Sequence, residues 1–378
     1  MATIIKNGLV ILPDFSGFTT DPLIIENGYI VDKITDDSSI TEIDAKGGYV
    51  LPGLIDIHNH GALGISYSSL DDDFGAALSF AATEGITSIA PTLYVNSIDN
   101  LTVQVENILN KRDSYKNGAR MIGIHVEGPF IASNKTGAMR APSDKPTVES
   151  FRRLVDSANG FIKVVTIAPE VENAEEIIKE GKKLGIRMSI GHTDATYETA
   201  AAAINAGATG ATHTFNAMRP FSHRDPGVLG AVLTDKRVSC EIICDFIHLA
   251  EGTIKLVCAA KGSNNVIVVS DNIAPAGFPN GDYVVDNILN TVKDGVCTVN
   301  EGKTIAGSIQ SQTKGARNLI KIGIPLNEVS KMCSFNPARA IGVDDKVGSL
   351  ATGKIADIII ADEELNVKKT LINGIQIQ

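Results

Sequence analysis

The sequence contains no tryptophan and only five cysteines in 378 residues, and no two of these cysteines form a C-x-x-C pair. An odd number of cysteines without such a pair is typical neither of a disulfide framework nor of a thiolate metal site. We therefore expect all five to be reduced core thiols of a cytoplasmic protein: Cys240, Cys244, Cys258, Cys297 and Cys333.

Long apolar runs and basic runs are absent as well. The N-terminal segment MATIIKNGLVILPDFSG lacks the basic and apolar regions of a signal peptide, and no apolar run is long enough to cross a bilayer. The formal net charge is -10, from 34 basic and 44 acidic residues, which argues against nucleic acid and anionic membranes as partners. An anionic small molecule would need a few cations placed locally.

Both ends of the chain are rich in short apolar segments separated by turns. The pairs Asn7-Gly8, Asn27-Gly28 and Asn373-Gly374 are typical hairpin turns. Because the last thirty residues resume the style of the first fifty, we predict that residues 1–50 and 347–378 form one small, discontinuous β-sandwich domain. Residues 51–346 are then the second domain.

The middle of the chain alternates strands with helical segments rich in Ala, Glu and Lys. Eight candidate strands occur in order: LIDIH, TSIAPTL, MIGIHVEG, IKVVTIAP, IRMSIGHT, GATHTFN, CEIICDFIH and NVIVVSD. This count favours an α/β fold of the parallel (β/α)8 TIM-barrel type, and a doubly wound sheet is the alternative. The sequence contains no G-x-G-x-x-G or P-loop motif.

Ionisable residues follow the apolar part of most of these strands. Since side chains alternate along a strand, His58 and His60 point the same way. Catalytic groups of a barrel lie at the C-terminal strand ends, so we expect these residues to converge: His58, His60, Glu127, His192, His213, His248 and Asp271. Imidazole and carboxylate ligands predict a site for a divalent first-row metal ion.

Two of these assignments have alternatives. His125 faces the same way as Glu127 and is either a further ligand or, as we favour, a residue one layer lower in the barrel. Asp271 is either a catalytic group or the N-cap of a following helix, because the segment SDN suits a cap.

Six segments together resemble the amidohydrolase superfamily and, within it, the N-acetylglucosamine-6-phosphate deacetylase family: PGLIDIHNHG, HVEGPF, GHTDAT, THTFNAM, SDNIAPAG and GSLATGKIADIIIA. The resemblance extends over nearly the whole chain. It implies that Glu127, His192 and His213 bind a metal ion and that Asp271 is the general acid/base. His58 and His60 match members that hold a second metal. One or two divalent ions per subunit are expected, zinc first, with iron, manganese or cobalt as alternatives.

The same resemblance implies how a substrate is held. Arg224 and His248 match residues that bind a sugar phosphate, one of them reaching across a homodimer interface, although sequence alone favours a surface ion pair between Arg224 and Asp225. Substrate-contacting positions are Asn216, Ala217, Ala138, Ile305, Ala306 and Gly307. Met139 stands where many members carry a polar residue, which puts contact from this loop to the acetamide in question.

The implied reaction is hydrolysis of the acetamide of N-acetylglucosamine 6-phosphate, in amino-sugar catabolism. The alternatives are the same reaction on N-acetylgalactosamine 6-phosphate, hydrolysis of another small amide, or a non-catalytic sugar-phosphate sensor. A carboxylated lysine of the kind found in cyclic amidases is disfavoured, since Lys163 lies near the start of its strand.

Overall fold

Eight parallel strands form a barrel in a computed structural model that describes residues 2–35, 39–285 and 288–377. We label them in chain order β1 Leu54–Asn59, β2 Ile86–Leu93, β3 Ile124–Glu127, β4 Ile162–Ile167, β5 Arg187–Ile190, β6 Gly210–Ala211, β7 Ser239–Ile243 and β8 Val266–Val269. Each strand pairs with the next in the sequence.

The ring is completed where β8 meets β1. The backbone N–H of Asp271 donates to the carbonyl of His58 at 2.9 Å, and Asn59 and Asn272 form a parallel bridge. The strand order never reverses, as it would in a doubly wound sheet. The predicted TIM barrel is confirmed.

A helix follows each barrel strand, and two more precede the C-terminal strands. They are α1 Gly75–Thr83, α2 Ile98–Lys111, α3 Val148–Ser157, α4 Ala174–Lys183, α5 Tyr197–Ala206, α6 Gly227–Thr234, α7 Glu251–Lys261, α8 Gln312–Lys321, α9 Leu326–Cys333 and α10 Phe335–Ala340. Within the described ranges, no helix has the length and apolar character that a membrane span requires.

The helix α4 shows how local sequence produces these elements. Ile177 and Ile178 are buried against the barrel, whereas the charged residues of the helix lie mainly on its outer face. Its first turn carries Glu175 and Glu176 and its last turn carries lysines, which complements the helix dipole. The helices α2, α3, α5 and α8 instead begin at a Ser or Thr whose side chain accepts the N3 backbone N–H.

The two chain ends build two sheets beside the barrel. One contains, in spatial order, Tyr29–Val31, Leu23–Glu26, Ala2–Lys6 and Ile40–Asp44. The other contains Ile375–Gln376, Val367–Ile372, Ile358–Ala361, Tyr49–Pro52, Leu9–Ile11 and Phe18–Thr19, so it joins both ends of the chain. The exact domain limits at residues 50 and 347 stay a prediction.

Two of the three predicted Asn-Gly hairpins are confirmed, and one prediction was wrong. Asn27-Gly28 and Asn373-Gly374 have positive φ at both positions and connect paired antiparallel strands. Asn7-Gly8 instead carries the chain from one terminal sheet to the other. A Cβ on Gly8 would lie 2.8 Å from side-chain atoms of both Ala45 and Val50, so glycine is required there by a close approach.

A small antiparallel sheet between β8 and α8 was not anticipated. Its strands are Gly281–Val285, Ile288–Lys293, Val296–Val299 and Thr304–Ile305. Shorter strands occur at Gly61–Ala62 and Ile65–Ser66, which pair with each other, and at Arg120–Met121, which pairs with β2.

Candidate active site

The ends of five barrel strands bring the predicted ligands to one place. His58 and His60 lie at the end of β1, Glu127 ends β3, and the other three follow β5, β6 and β8: His192, His213 and Asp271. All six are at least nine-tenths buried, although their side chains are polar. The barrel therefore gathers six candidate ligands at its C-terminal end.

Glu127 is the centre of one group. Its Oε1 atom lies 2.9 Å from His213 Nε2 and 3.1 Å from His192 Nε2. Glu127, His192 and His213 each offer a ligand atom within 4.8 Å of the other two, which suits a shared metal ion.

A second group adjoins the first. His58 Nε2 and His60 Nε2 lie 3.4 and 3.3 Å from the same oxygen of Asp271, Oδ1. They also lie 3.3 and 3.2 Å from the two carboxylate oxygens of Glu127. Glu127 therefore connects both groups.

The backbone is left-handed at three of these positions. His192, His213 and Asp271 have φ values of 48°, 26° and 52°. Such conformations cost about 1–3 kcal/mol for residues other than glycine, and they are typical of functional sites. They turn the chain sharply as it leaves β5, β6 and β8.

Backbone carbonyls set the tautomers of two of the rings. His60 Nδ1 lies 3.2 Å from the carbonyl of Thr92, and His192 Nδ1 lies 2.7 Å from that of Lys135. Because a carbonyl only accepts, each Nδ1 carries the proton and each Nε2 directs a lone pair into the site.

This donor set fits a cation. His192 Nε2 and His213 Nε2 are only 3.0 Å apart, and both face Glu127. Buried His58 Nε2 has no hydrogen-bond partner among the described residues. Lone pairs that converge on a carboxylate need positive charge between them, and nitrogen with oxygen ligands suits a divalent first-row ion.

The electrostatics of the site also favour a bound cation. Burial lowers the pKa of His58, but the charges of Glu127 and Asp271 raise it more, to well above the usual 6.5. Burial raises the pKa of Asp271, yet the charge of His58 and the hydrogen bond with His60 bring it below the usual range. The carboxylates are ionised and attract positive charge to this point.

A cavity of about 470 Å³ opens above the two groups. It is lined by every predicted site residue except His58, which lies beneath its floor, and Arg224, which is exposed outside it. The lining includes Asn216, Ala217, Ala138, Met139, His248, Ile305, Ala306 and Gly307.

The hydrogen-bond partners of His248, at the cavity wall, favour its cationic form. Its Nδ1 donates to Asp245 Oδ2 at 2.7 Å, and its Nε2 donates to the carbonyl of Ala306 at 3.0 Å. Both acceptors require a ring proton. Burial lowers the pKa of His248, but the hydrogen bond and charge of Asp245 raise it more, so its pKa lies above 6.5.

Three alternatives from the sequence are decided by the structure. His125 bonds to the Ile57 carbonyl at 3.1 Å and to Thr166 Oγ1 at 2.8 Å, so both ring nitrogens are engaged below the site. The next described helix after Asp271 begins at Gln312, so Asp271 is not an N-cap. Asp225 pairs with Arg219 at 2.7 Å and not with Arg224.

Several residues around the site were missed from the sequence. The ring of Tyr94 stacks on His60 with centroids 3.9 Å apart. The antiparallel sheet adds Val285, Ile288 and Asn290 to the cavity wall. Glu241 contacts His58 from below, and as the lone charge within the apolar run CEIIC it was a signal that could have been used.

Comparison with known proteins gives consistent matches over most of the chain. The profile of the amidohydrolase family matches residues 49–377. The N-acetylglucosamine-6-phosphate deacetylase of Bacillus subtilis (strain 168) is 34% identical over 94% of both chains. The N-acetylgalactosamine-6-phosphate deacetylase of Escherichia coli O157:H7 is 31% identical over 89% of both.

A solved structure is similar as well. It is a variant of N-acetyl-D-glucosamine-6-phosphate deacetylase from Mycobacterium smegmatis in complex with N-acetyl-D-glucosamine-6-phosphate. The TM-score is 0.88 at 29% identity, and the match covers 100% of this chain and 99% of that chain.

Proposed function

This chain belongs to the amidohydrolase family, and from that premise we propose that it hydrolyses N-acetylglucosamine 6-phosphate to glucosamine 6-phosphate and acetate. The observation that carries the proposal is the meeting of two histidine–carboxylate groups on the floor of a cavity whose wall holds a cationic His248. The deacetylases that are similar to this chain favour an enzyme over a non-catalytic sensor.

The metal centre is proposed on the six buried ligands. Glu127, His192 and His213 hold one divalent ion, and His58 and His60 with Asp271 suit a second. Such an ion lowers the pKa of water and polarises a carbonyl oxygen. We propose zinc as the ion, because it binds nitrogen and oxygen ligands together. Iron, manganese and cobalt accept the same ligands and are the alternatives.

Asp271 is proposed as the general acid/base. Its ionised carboxylate can accept a proton from the water that attacks the acetamide carbon. When the C–N bond breaks, the carboxylic acid returns that proton to the amine nitrogen, and acetate and the free amine are the products. A proton relay of this kind contributes about 10²- to 10⁴-fold to the rate.

The phosphate is assigned to the other end of the cavity. His248 offers a positively charged ring beside the segment Ile305–Gly307. Both of its N–H groups are bonded within the chain, so it would attract a phosphate oxygen through its charge. Arg224 is exposed outside the cavity of its own chain, so we propose that it reaches the phosphate of a partner subunit in a homodimer. A cytoplasmic location belongs to the same proposal, since the substrate is a phosphorylated sugar.

N-acetylgalactosamine 6-phosphate is the second candidate substrate. It is favoured by the Escherichia coli relative, whose name specifies the galacto sugar. Both sugars carry the same acetamide and phosphate, so the ligands described above serve either one.

Measuring acetate release from a panel of acetylated hexosamines tests the proposal. The panel contains the gluco and galacto sugars, each with and without the 6-phosphate. We expect the highest kcat/KM for N-acetylglucosamine 6-phosphate. A preference for the galacto epimer would select the second candidate, and no release from any member would reject a deacetylase.

A further inference from the structure

The barrel interior just below the candidate metal centre is polar. The inner layers of such barrels are usually filled by Val, Ile and Leu. Here Glu241, Arg187, His125 and Thr166 occupy that layer, and each is at most 5% exposed.

Within this layer, the charged group of Glu241 contacts a candidate metal ligand, His58. Its Oε2 atom lies 3.3 Å from His58 Nδ1, and both side chains are fully buried. In the described part of the chain this is the only hydrogen bond of the Glu241 side chain. The other ring nitrogen of His58 faces Glu127 and Asp271.

Arg187 places a positive charge beside the Glu241 carboxylate. Its Nε atom lies 3.8 Å from Glu241 Oε1. The rest of the guanidinium donates to the carbonyl of Thr209 and to the side chain and carbonyl of Ser239, at 2.8–3.2 Å. These bonds fix its position between β5, β6 and β7.

Stability alone does not account for this pair. Burying two charges costs several kcal/mol for each ion, and replacing a buried pair with apolar residues is often neutral or stabilising. His125 cannot replace Glu241 as the hydrogen-bond acceptor of His58 Nδ1, because both of its own ring nitrogens are already bonded.

We propose that Glu241 is a positioning residue that holds His58 with its Nδ1 proton toward Glu241 and its Nε2 lone pair toward Glu127 and Asp271. A carboxylate behind a metal-binding histidine fixes the tautomer and makes the ring a stronger ligand. Glu241 thereby sets the affinity of the His58–His60–Asp271 group for a divalent ion. This inference rests on the proposed metal centre but not on the identity of the substrate.

The alternative tautomer explains what is lost without Glu241. A His58 ring protonated at Nε2 would donate to Glu127 or Asp271 and would have no lone pair for an ion there. Both carboxylates lie within 3.4 Å of that nitrogen, so this tautomer competes directly with metal binding.

Two double variants isolate the hydrogen bond from the ion pair. Arg187→Met with Glu241→Gln removes both charges but leaves an amide oxygen for His58 Nδ1. Arg187→Met with Glu241→Leu removes the charges and the acceptor. Binding of Co²⁺ and Zn²⁺ to metal-free protein is measured by calorimetry, with the Co²⁺ absorption spectrum as a second readout and thermal unfolding as the control.

We expect the Gln variant to bind more tightly than the Leu variant, because its amide oxygen still accepts a hydrogen bond from His58 Nδ1. The Leu variant should lose about 10- to 100-fold in affinity at one of two sites, while the other site is unchanged. Added to His58→Asn, the Leu variant should cause no further loss. Equal binding by the Gln and Leu variants would overturn the inference, as would a further loss on the His58→Asn background.

A single substitution at Glu241 repeats the test with Arg187 unchanged, so that Arg187 keeps a carboxylate partner. Glu241→Asp keeps the charge but withdraws the carboxylate from His58, and we expect the same weakened site. Unchanged binding would contradict the inference. If the unchanged protein binds no divalent ion at all, the proposed metal centre fails instead, so the two failures are distinguishable.

Discussion

At the scale of single residues, the chemistry depends on which atom of each side chain is free. His60 and His192 donate hydrogen bonds from Nδ1–H to backbone carbonyls, which leaves the Nε2 lone pairs for the site. His248 donates hydrogen bonds from both of its ring N–H groups, which favours the cationic form. Three histidines of one chain thus differ in the atoms that they offer: two are candidate metal ligands, and the third is the proposed anion-binding group.

Replacing Asp271 with Asn tests the proton relay. The amide keeps the shape of the side chain but cannot accept and return a proton, so acetate release should fall by about 10²- to 10⁴-fold. Elemental analysis should still find a metal ion bound to the Glu127–His192–His213 group. Full turnover by the variant would remove Asp271 from the mechanism.

The charge of His248 predicts a pH dependence. Its pKa lies above 6.5, so the ring is charged below that raised pKa and becomes neutral as the pH rises through it. The KM for the phosphorylated sugar should therefore increase at alkaline pH, while the KM for the unphosphorylated analogue should not. In His248→Gln this extra rise should disappear. Parallel profiles for both sugars would contradict the phosphate assignment.

At the scale of elements, the segment that follows the antiparallel sheet is packed against the end of β8. A Cβ on Gly307 would lie 2.6 Å from the Asp271 carbonyl and 2.7 Å from the Ile273 side chain. The segment lines the cavity and at the same time fixes the residue that we propose as the acid/base.

Gly307→Ala should therefore lower kcat by displacing Asp271. We expect at least a tenfold loss, since an error of about 1 Å at a reacting group costs up to about 100-fold. Gly252→Ala is the matched control, because a Cβ there meets no atom within 4 Å. Equal kcat values for the two variants would show that the contact does not constrain Asp271.

Elements were predictable where local and tertiary preferences agree. β8 is an apolar run that is buried along its whole length, and Asp271 follows it because polar groups belong at the barrel rim. Asn7-Gly8 has the composition of a hairpin but joins two sheets, and strand partners are decided by packing that no local pattern contains. The strand Gly281–Val285 has no buried residue, so its sequence lacks the alternation that marks a half-buried strand.

At the scale of the whole molecule, the described chain contains two groups of candidate metal ligands but leaves Arg224 exposed outside the cavity. The proposed role of Arg224 in phosphate binding follows only from the family resemblance and not from a contact within the chain. The sequence could not decide this point, because a pattern of residues does not say which subunit a loop serves.

Mixing two impaired variants tests a role for Arg224 in a partner subunit. Arg224→Ala should raise the KM for the phosphorylated sugar at least about tenfold, as expected for a lost charged hydrogen bond. Mixed dimers with Asp271→Asn contain one site with both native residues, so kcat/KM should partly recover. No recovery in dimers shown to be mixed would place Arg224 outside the partner's site.

The most direct test is to measure acetate release from N-acetylglucosamine 6-phosphate against the number of metal ions bound per subunit. The protein is first stripped with a chelator and then titrated with Zn²⁺. We predict no turnover in the stripped protein and a rate that rises in proportion to the first ion bound, with Glu127→Gln failing to recover. Full turnover by protein without bound metal would contradict the proposed centre.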